Sequence, residues 1–318
     1  MKIFRHLSDV PESYKGAIVA VGNFDGVHLG HQALIAEAGR HAAERSAPLA
    51  VLVFEPCPQE FFQPGAEPFR LTPFRAKTHL IAALGVDAMF ALAFDAEMAN
   101  RSPQDFILDV LVKGLSAGCV VVGADFCFGK GRTGNAAVLS YMGEMEGFGV
   151  VVFDPVTGGT GEKISSTAVR TALKQGRPED AARLLGHPFA MDGRVERGDG
   201  RGRVLGFPTA NLQLDGYMRP AFGIYAVRVA VLEDDKVVSR HEGVANLGIR
   251  PMYRSAEPLL EAHLFDFSGD LYGKHLSVEL LAYLRPEAKF AGVEELKVQI
   301  GKDCDAARAA LDRQPPRC

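Results

Sequence analysis

Ala17-Ile18-Val19-Ala20-Val21-Gly22-Asn23-Phe24-Asp25-Gly26-Val27-His28-Leu29-Gly30-His31 is the stretch that decides the fold. Its apolar opening runs without alternation, as a strand covered on both faces does, and passes directly into a glycine-bearing loop and a helical pattern. The order repeats. Leu49–Phe54, Ala88–Ala93, Val120–Val122 and Val150–Phe153 are further continuous apolar runs. Between them Leu29–Arg45, Phe74–Leu84, Pro103–Leu115 and Asn135–Glu146 space their apolar residues by three and four. Alternating strands and helices predict an α/β region with a parallel sheet flanked by helices. Ligands of such sheets bind beyond the carboxyl ends of the strands, so the loop after each strand is where chemistry is sought.

After the helical stretch Ser166–Leu185 the texture changes, because Gly186-His187-Pro188 breaks the helix. Ile224–Leu232, Val237–Ala245, Leu259–Phe265 and Leu276–Leu284 then read as strands without intervening helices, which predicts an antiparallel sheet or a small barrel. Val293–Leu311 reads as a capping helix. The boundary falls near residue 186, giving domains 1–185 and 186–318. A chain of 318 residues fits two domains at roughly 100–200 residues each. With 47% apolar and 23% charged residues, disorder, collagen and coiled coil are poor fits. Lys+Arg 35 against Asp+Glu 39 leaves −4, which lacks the excess that draws a chain onto nucleic acid or an anionic membrane. Cys57, Cys119, Cys127, Cys304 and Cys318 are scattered and form no C-x-x-C pair, so neither a disulfide framework nor a zinc site is signalled. Charge in Met1-Lys2-Ile3-Phe4-Arg5-His6 stands where a secretory apolar region would begin, and no window approaches ~18 uncharged apolar residues, so a cytoplasmic location is expected.

In the Gly22–His31 loop, glycines let backbone approach a ligand, while His28 and His31 stand at a helix start whose dipole favours an anion. A phosphate cradle is preferred to a metal site, since two histidines without a third ligand are weak, and to two satisfied surface histidines. Lys163-Ile164-Ser165-Ser166-Thr167-Ala168-Val169-Arg170 places hydroxyls at a helix N-terminus with an arginine one turn inside. Alone it is a good helix cap, and it can also grip phosphate oxygens. Gly129-Lys130-Gly131-Arg132-Thr133-Gly134 has P-loop glycine spacing, but Asn135-Ala136 stands where Lys-Ser/Thr is needed.

Together these elements resemble the α/β nucleotidyltransferases that activate substrates with ATP. With Phe54-Glu55-Pro56-x-Pro58 and Val122-Gly123-Ala124-Asp125-Phe126-Cys127-Phe128-Gly129, the match is to the adenylyltransferase half of the bacterial bifunctional riboflavin kinase/FAD synthetase family. The resemblance implies a Rossmann-like nucleotidyltransferase sheet. It also implies nucleotide contacts from Gly22, Asn23, Phe24, Asp25, Gly26, Gly30, Asp125, Ser165, Ser166 and Thr167, with His28, His31 and Arg170 acting in adenylyl transfer. Cys57 departs from the family, which usually shows histidine there; no catalytic role is assigned to it.

The second half opens with Gly198-Asp199-Gly200-Arg201-Gly202-Arg203-Val204-Leu205-Gly206-Phe207-Pro208-Thr209-Ala210-Asn211. Bare amides and interleaved guanidinium groups suit a polyphosphate, although a solvated loop would look the same. Thr209 and Asn211 project to one side of an extended strand and offer oxygens to a hard cation, or form an ordinary turn and edge strand. In Leu259-Leu260-Glu261-Ala262-His263-Leu264-Phe265, Glu261 and His263 lie opposite Leu260, Ala262 and Leu264. These strings, with Ala245–Pro251, Asp270-Leu271-Tyr272-Gly273 and Leu284-Arg285-Pro286-Glu287, resemble the riboflavin kinase half of the same family, a small antiparallel β-barrel. The resemblance implies Mg²⁺ held with ATP by Thr209 and Asn211, nucleotide contacts from Gly200, Gly202 and Gly206, and a flavin contact from Arg285. Glu261 becomes the general base on the ribityl hydroxyl, since an alcohol attacking a γ-phosphoryl group must lose its proton. Met252 departs from the threonine common after Arg-Pro.

The expected sequence of reactions is riboflavin and ATP to FMN, then FMN and a second ATP to FAD and pyrophosphate, with Mg²⁺ in both. The FMN phosphate is already anionic, so the first site needs alignment and charge stabilisation rather than a base. An aminoacyl-tRNA-synthetase-like enzyme would leave Pro208–Asn211 unexplained. A flavin carrier that lost its chemistry is the other alternative, and the retained His28, His31, Thr209, Asn211 and Glu261 argue against it.

Overall fold

The computed structural model describes residues 1–318 except 159, 160, 162, 199–201, 203, 204, 250–257 and 314–318. Gly200 and Met252 therefore lie outside the described residues. Two compact units emerge, Met1–Glu67 with Thr72–Ser165, and Pro68–Leu71 with Ser166–Cys318. The sequence places a boundary at residue 186; in the structure the helices spanning 166–185 pack with the second unit's strands.

The first unit contains β1 (Lys2–Phe4), β2 (Ile18–Val21), α1 (Leu29–Arg45), β3 (Leu49–Glu55), α2 (Pro58–Phe62), α3 (Phe74–Ala82) and β4 (Ala88–Ala93). There follow α4 (Ala96–Asn100), α5 (Pro103–Asp105, continued with π-helical bonding over Phe106–Gly114), β5 (Cys119–Gly123) and the short pair β6 (Cys127–Phe128) and β7 (Gly134–Asn135). α6 (Ala136–Glu146) and β8 (Gly149–Phe153) complete it. All pairs of the six-stranded sheet are parallel, in the order β1-β4-β3-β2-β5-β8. The five expected strands are present. The sixth, β1, escapes the sequence reading because Lys2-Ile3-Phe4 offers no apolar run. Alternate residues of each strand feed opposite faces, Val19, Leu52 and Phe90 one core and Ile18, Val51 and Met89 the other. The loop with P-loop-like spacing does structural work, since Asn135 accepts from Val138 N at 3.0 Å and caps α6.

The second unit opens with α7 (Ser166–Lys174) and α8 (Pro178–Leu185). The single helical stretch expected here is broken at Gly176, whose φ of +66° suits a helix end, and Pro178 starts the next helix. Then come β9 (Phe189–Glu196), β10 (Ala210–Gln213), β11 (Gly223–Glu233), β12 (Lys236–Ile249), β13 (Pro258–Leu264), β14 (His275–Arg285) and α9 (Val293–Leu311). The six strands close into an antiparallel barrel, β10-β13-β12-β11-β14-β9. Leu212, Val227, Leu260 and Val278 fill its interior, and Ala307, Ala310 and Leu311 of α9 pack outside on Ala226, Val244 and Leu281. The extended strand read at Thr209 and Asn211 is β10, whereas β9 has no counterpart in the sequence reading, because Asp192, Gly193, Arg194 and Glu196 interrupt its alternation.

Candidate active sites

From β2 the sheet winds outward through β3 and β4 on one side and through β5 and β8 on the other. In open parallel sheets ligands bind at such a reversal, beyond the carboxyl ends of the strands, and here the Gly22–His28 and Ala124–Phe126 loops emerge there from β2 and β5. The first loop is strained. Phe24 (φ +47°) and Val27 (φ +44°) both occupy the left-handed region, at about 1–3 kcal/mol each, beside Gly26 at φ +82°. Burial of the Phe24 and Val27 side chains holds them there, together with hydrogen bonds from Thr72 to Asp25 and from Gly26 to Thr72.

His28 is the N-cap of α1. Its Nδ1 accepts from His31 N at 3.3 Å, so a neutral His28 ring carries its proton on Nε2 and presents a donor. The two imidazoles stack with centroids 3.6 Å apart and planes within 15°, and Phe24 meets His31 edge-on at 5.3 Å. Gly30 permits this, since a Cβ there would lie 3.2 Å from the His28 ring. Burial, then the charge of His28, then that of Lys77 hold the His31 pKa well below its ordinary 6.5, so His31 is neutral at physiological pH. Its Nδ1 is buried without a hydrogen-bond partner among the described residues. The helix N-terminus favours an incoming phosphate over a metal cation, and the open ring nitrogen of His31 leaves it a polar partner to contact. Among the described residues, no group of three or more His, Cys, Asp or Glu could hold a metal ion.

Two distant stretches converge on this loop. The carbonyl of Ile164 would lie 3.7 Å from a Cβ on Gly30. Lys163 Nζ contacts Asp125 Oδ2 at 2.8 Å, holding that carboxyl below the usual carboxylate range. Gly22, Asn23, Phe24, Asp25, Gly26, His28, Gly30, His31, Asp125 and Ser165 thus share the first unit. Ser166, Thr167 and Arg170 belong to α7 in the second, where Arg170 Nε donates to Phe69 O at 2.7 Å. Cys57 is buried at the N-cap position of α2. At the same carboxyl edge, Phe54, Phe61, Phe62 and Phe94 meet edge-on at 5.3–5.7 Å, and Phe62 is 64% exposed.

The second unit's candidate residues form a row across neighbouring strands. Asn211 pairs with Glu196 of β9 and Glu261 of β13, and Glu261 with Asn246 of β12. Ala210, Leu212, Leu260, Ala262, Ala245 and Leu247 point into the barrel, so the row lies on its outer face. Cross-strand neighbours stand about 4.5–5.5 Å apart at Cβ, within reach of one ligand. Asn246 Oδ1 is buried without a hydrogen-bond partner among the described residues. Thr209 precedes β10, and a Cβ on Gly202 would come within 3.2 Å of its Oγ1, so that backbone closes over the hydroxyl. His263 Nδ1 donates to Pro208 O at 2.8 Å and meets Phe207 edge-on at 5.6 Å, tying the loop to β13. Gly206 adopts φ +87°. Arg285 forks onto Asp303 at 2.8 and 2.6 Å and donates to Pro286 O at 2.9 Å, latching α9 to β14.

Residues 10–168 match the model of FAD synthetase and residues 185–311 that of riboflavin kinase. The chain is 42% identical over 311 residues to the bifunctional riboflavin kinase/FMN adenylyltransferase of Escherichia coli K12, covering 97% of each. The chain belongs to the bifunctional riboflavin kinase/FMN adenylyltransferase family. The Haemophilus influenzae member is 39% identical, over 97% of this chain and 99% of its own. A solved structure described as a macrolide-efflux protein from Streptococcus pneumoniae superposes with TM-score 0.83 at 30% identity, covering 96% of this chain and 98% of that one. Among the described residues, no helix of this family member is long and apolar enough to cross a membrane.

Several residues in these sites carry no signal of their own in the sequence. Thr72 and Lys77 carry no motif, and Lys77 sits in a pattern that looks like an exposed helix charge, yet both are buried. Asn246 has no motif of its own; its strand register is what brings it beside Glu261. The phenylalanines lie in separate elements and share no spacing.

Proposed function

We propose that the two units of this family member catalyse consecutive steps at separate sites, and that the convergence of Gly22–His31, Asp125 and Lys163–Ser165 beyond the carboxyl ends of β2 and β5 carries the assignment of the first. The enzyme phosphorylates riboflavin with ATP to FMN and adenylylates FMN with a second ATP to FAD and pyrophosphate. In the barrel, Glu261 accepts the proton of the ribityl hydroxyl as its oxygen bonds to the γ-phosphorus and the bond to ADP breaks. The outward row supports this, since Asn211 and Asn246 flank Glu261. In the first unit an FMN phosphate oxygen attacks the α-phosphorus and pyrophosphate leaves. No base is needed there. The Nε2 proton of His28, the open His31 ring and the amides at the start of α1 are suited to the charge that develops on the phosphates. The phenylalanine platform ending at Phe62 suits the flat apolar face of a flavin.

Mg²⁺ fits the second site, because the donors gathered there are neutral and anionic oxygens and Asn246 Oδ1 has no hydrogen-bond partner among the described residues. Thr209 and Asn211 would hold the ion, which neutralises phosphate oxygens when bound. Gly202, Gly206 and Gly200 would border the nucleotide, and Ser166, Thr167 and Arg170 would serve adenylyl transfer. Any flavin contact by Arg285 must use donors that its pair with Asp303 leaves over. We place the enzyme in the cytoplasm, supported by free thiols at Cys119, Cys127 and Cys304.

The test is chromatography of flavin products after incubating the protein with riboflavin, ATP and Mg²⁺. FMN appearing first and FAD following is the expected outcome. Conversion of FMN to FAD with riboflavin untouched would remove the kinase assignment, and binding of flavin without ATP consumption would remove both.

A further inference from the structure

We propose that Thr72 is a positioning residue for adenylyl transfer, holding the Asp25–Gly26 turn in the strained shape that aims the start of α1 at the nucleotide. The inference rests on the adenylyltransferase assignment of the first unit.

The geometry is specific to a hydroxyl. Thr72 Oγ1 accepts from Gly26 N at 2.9 Å, and Thr72 N and Oγ1 reach Asp25 Oδ1 at 3.0 and 3.3 Å. Gly26 N can only donate and the Asp25 carboxylate can only accept, so the hydroxyl must take the amide proton on its lone pair and give its own proton to the carboxylate. Only a group that is donor and acceptor at once closes this ring. Thr72, Asp25, Gly26 and Val27 are all buried, so water cannot take its place.

The ring sits between the two non-glycine residues of the loop in left-handed conformation, Phe24 and Val27. Val27 is β-branched and is strongly disfavoured there, so the turn relaxes unless neighbouring bonds over-determine it. His28 follows Val27 directly, and its cap bond to His31 and its stacking depend on where that turn delivers it. Thr72 is itself preset. Pro73 follows it, which disfavours the helical region at Thr72, and its N–H donates to Asp25 Oδ1 ahead of the helix α3 that begins at Phe74. The hydroxyl and amide of Thr72 are engaged with Asp25 and Gly26, so Thr72 acts through the loop.

The experiment uses the full chain with Thr72→Val, which keeps shape and the backbone bond but loses both hydroxyl bonds, and Thr72→Ser, which keeps both. FAD formation from FMN and ATP is measured for kcat and for KM of ATP, with riboflavin phosphorylation in the same sample and thermal unfolding alongside. Displacement of an aligned group by about 1 Å costs on the order of 100-fold in rate. Thr72→Val is therefore expected to lower kcat roughly 100-fold with KM for ATP shifted less than about threefold, and Thr72→Ser to recover to within about threefold of wild type. Riboflavin phosphorylation stays at the wild-type value, while the unfolding midpoint of Thr72→Val falls modestly, because Gly26 N and the Asp25 carboxylate lose a buried partner. Wild-type kcat in Thr72→Val overturns the proposal. So does a loss that Thr72→Ser fails to restore, or one accounted for by unfolded protein at the assay temperature, since either marks a structural role. A wild-type protein that makes no FAD removes instead the assignment on which the proposal rests.

Discussion

In the proposed assignment, the loop after β2 and the outer row of the barrel handle phosphate by opposite means. In the first, backbone carries the site: strained residues, a glycine that admits the His28 ring and a helix N-terminus, with two imidazoles stacked 3.6 Å apart. In the second, side chains carry it: the register of β9, β10, β13 and β12 sets Glu196, Asn211, Glu261 and Asn246 abreast. The nucleophiles account for the difference. A phosphate arrives charged and needs only placement, whereas an alcohol must lose a proton, so only the barrel needs a carboxylate within reach of the attacking oxygen.

The comparison breaks first at Glu261. Glu261→Gln keeps the size and the strand register but cannot accept the proton, and general-base removal is worth about 10²–10⁴ in rate. Riboflavin phosphorylation is expected to fall by that factor while supplied FMN still becomes FAD at the wild-type rate, both read from the flavin chromatogram. Equal loss of both reactions would show that the two sites do not divide the chemistry this way. His28→Ala is the mirror test. Losing one oriented donor costs roughly 10²–10³, so FMN accumulates while riboflavin phosphorylation is unchanged. Smaller again is Asn211→Ala, which removes one oxygen from a site that keeps Thr209. About tenfold more Mg²⁺ for half-maximal phosphorylation is expected, at roughly 1.4 kcal/mol per decade, with no change in the Mg²⁺ dependence of FAD formation.

The same contrast governs how much could be read from sequence. Continuous apolar runs gave the sheet, because strands buried on both faces have no polar side to hide them. The loop residues of the first site were legible because they are contiguous from Gly22 to His31. Glu261 and His263 were placed on the correct outer face by alternation alone, since Leu260, Ala262 and Leu264 are buried opposite them. What stayed hidden depends on long-range register. Asn246 next to Glu261, Thr72 on Asp25 and Lys77 beside His31 join residues 15 to 47 positions apart in ways no local spacing encodes. Strand β9 was missed for a related reason. Asp192, Arg194 and Glu196 face away from the core, and Gly193 interrupts the apolar positions that would have marked it.

The finest test concerns charge rather than contact. Lys77 is only 2% exposed, and after burial and His28 its ammonium is the third cause that holds the His31 pKa below the ordinary histidine value of 6.5. A group whose folded pKa is depressed is protonated first in the unfolded chain. The stability it contributes is therefore complete above about 6.5 and is lost as pH falls toward the folded value. The active form follows the same sign, so FAD formation should hold its rate on acidification until the depressed pKa is reached. Lys77→Gln keeps a hydrogen-bond donor but removes the charge, which raises the His31 pKa back toward 6.5. The acid limb of the pH–rate profile for FAD formation is then expected to move to higher pH, by less than the full depression because burial, the largest cause, remains. Riboflavin phosphorylation in the same samples should keep its profile, since Glu261 lies in the other unit. An acid limb that stays in place, or one that moves to lower pH, would show that Lys77 does not set the protonation of His31 during turnover.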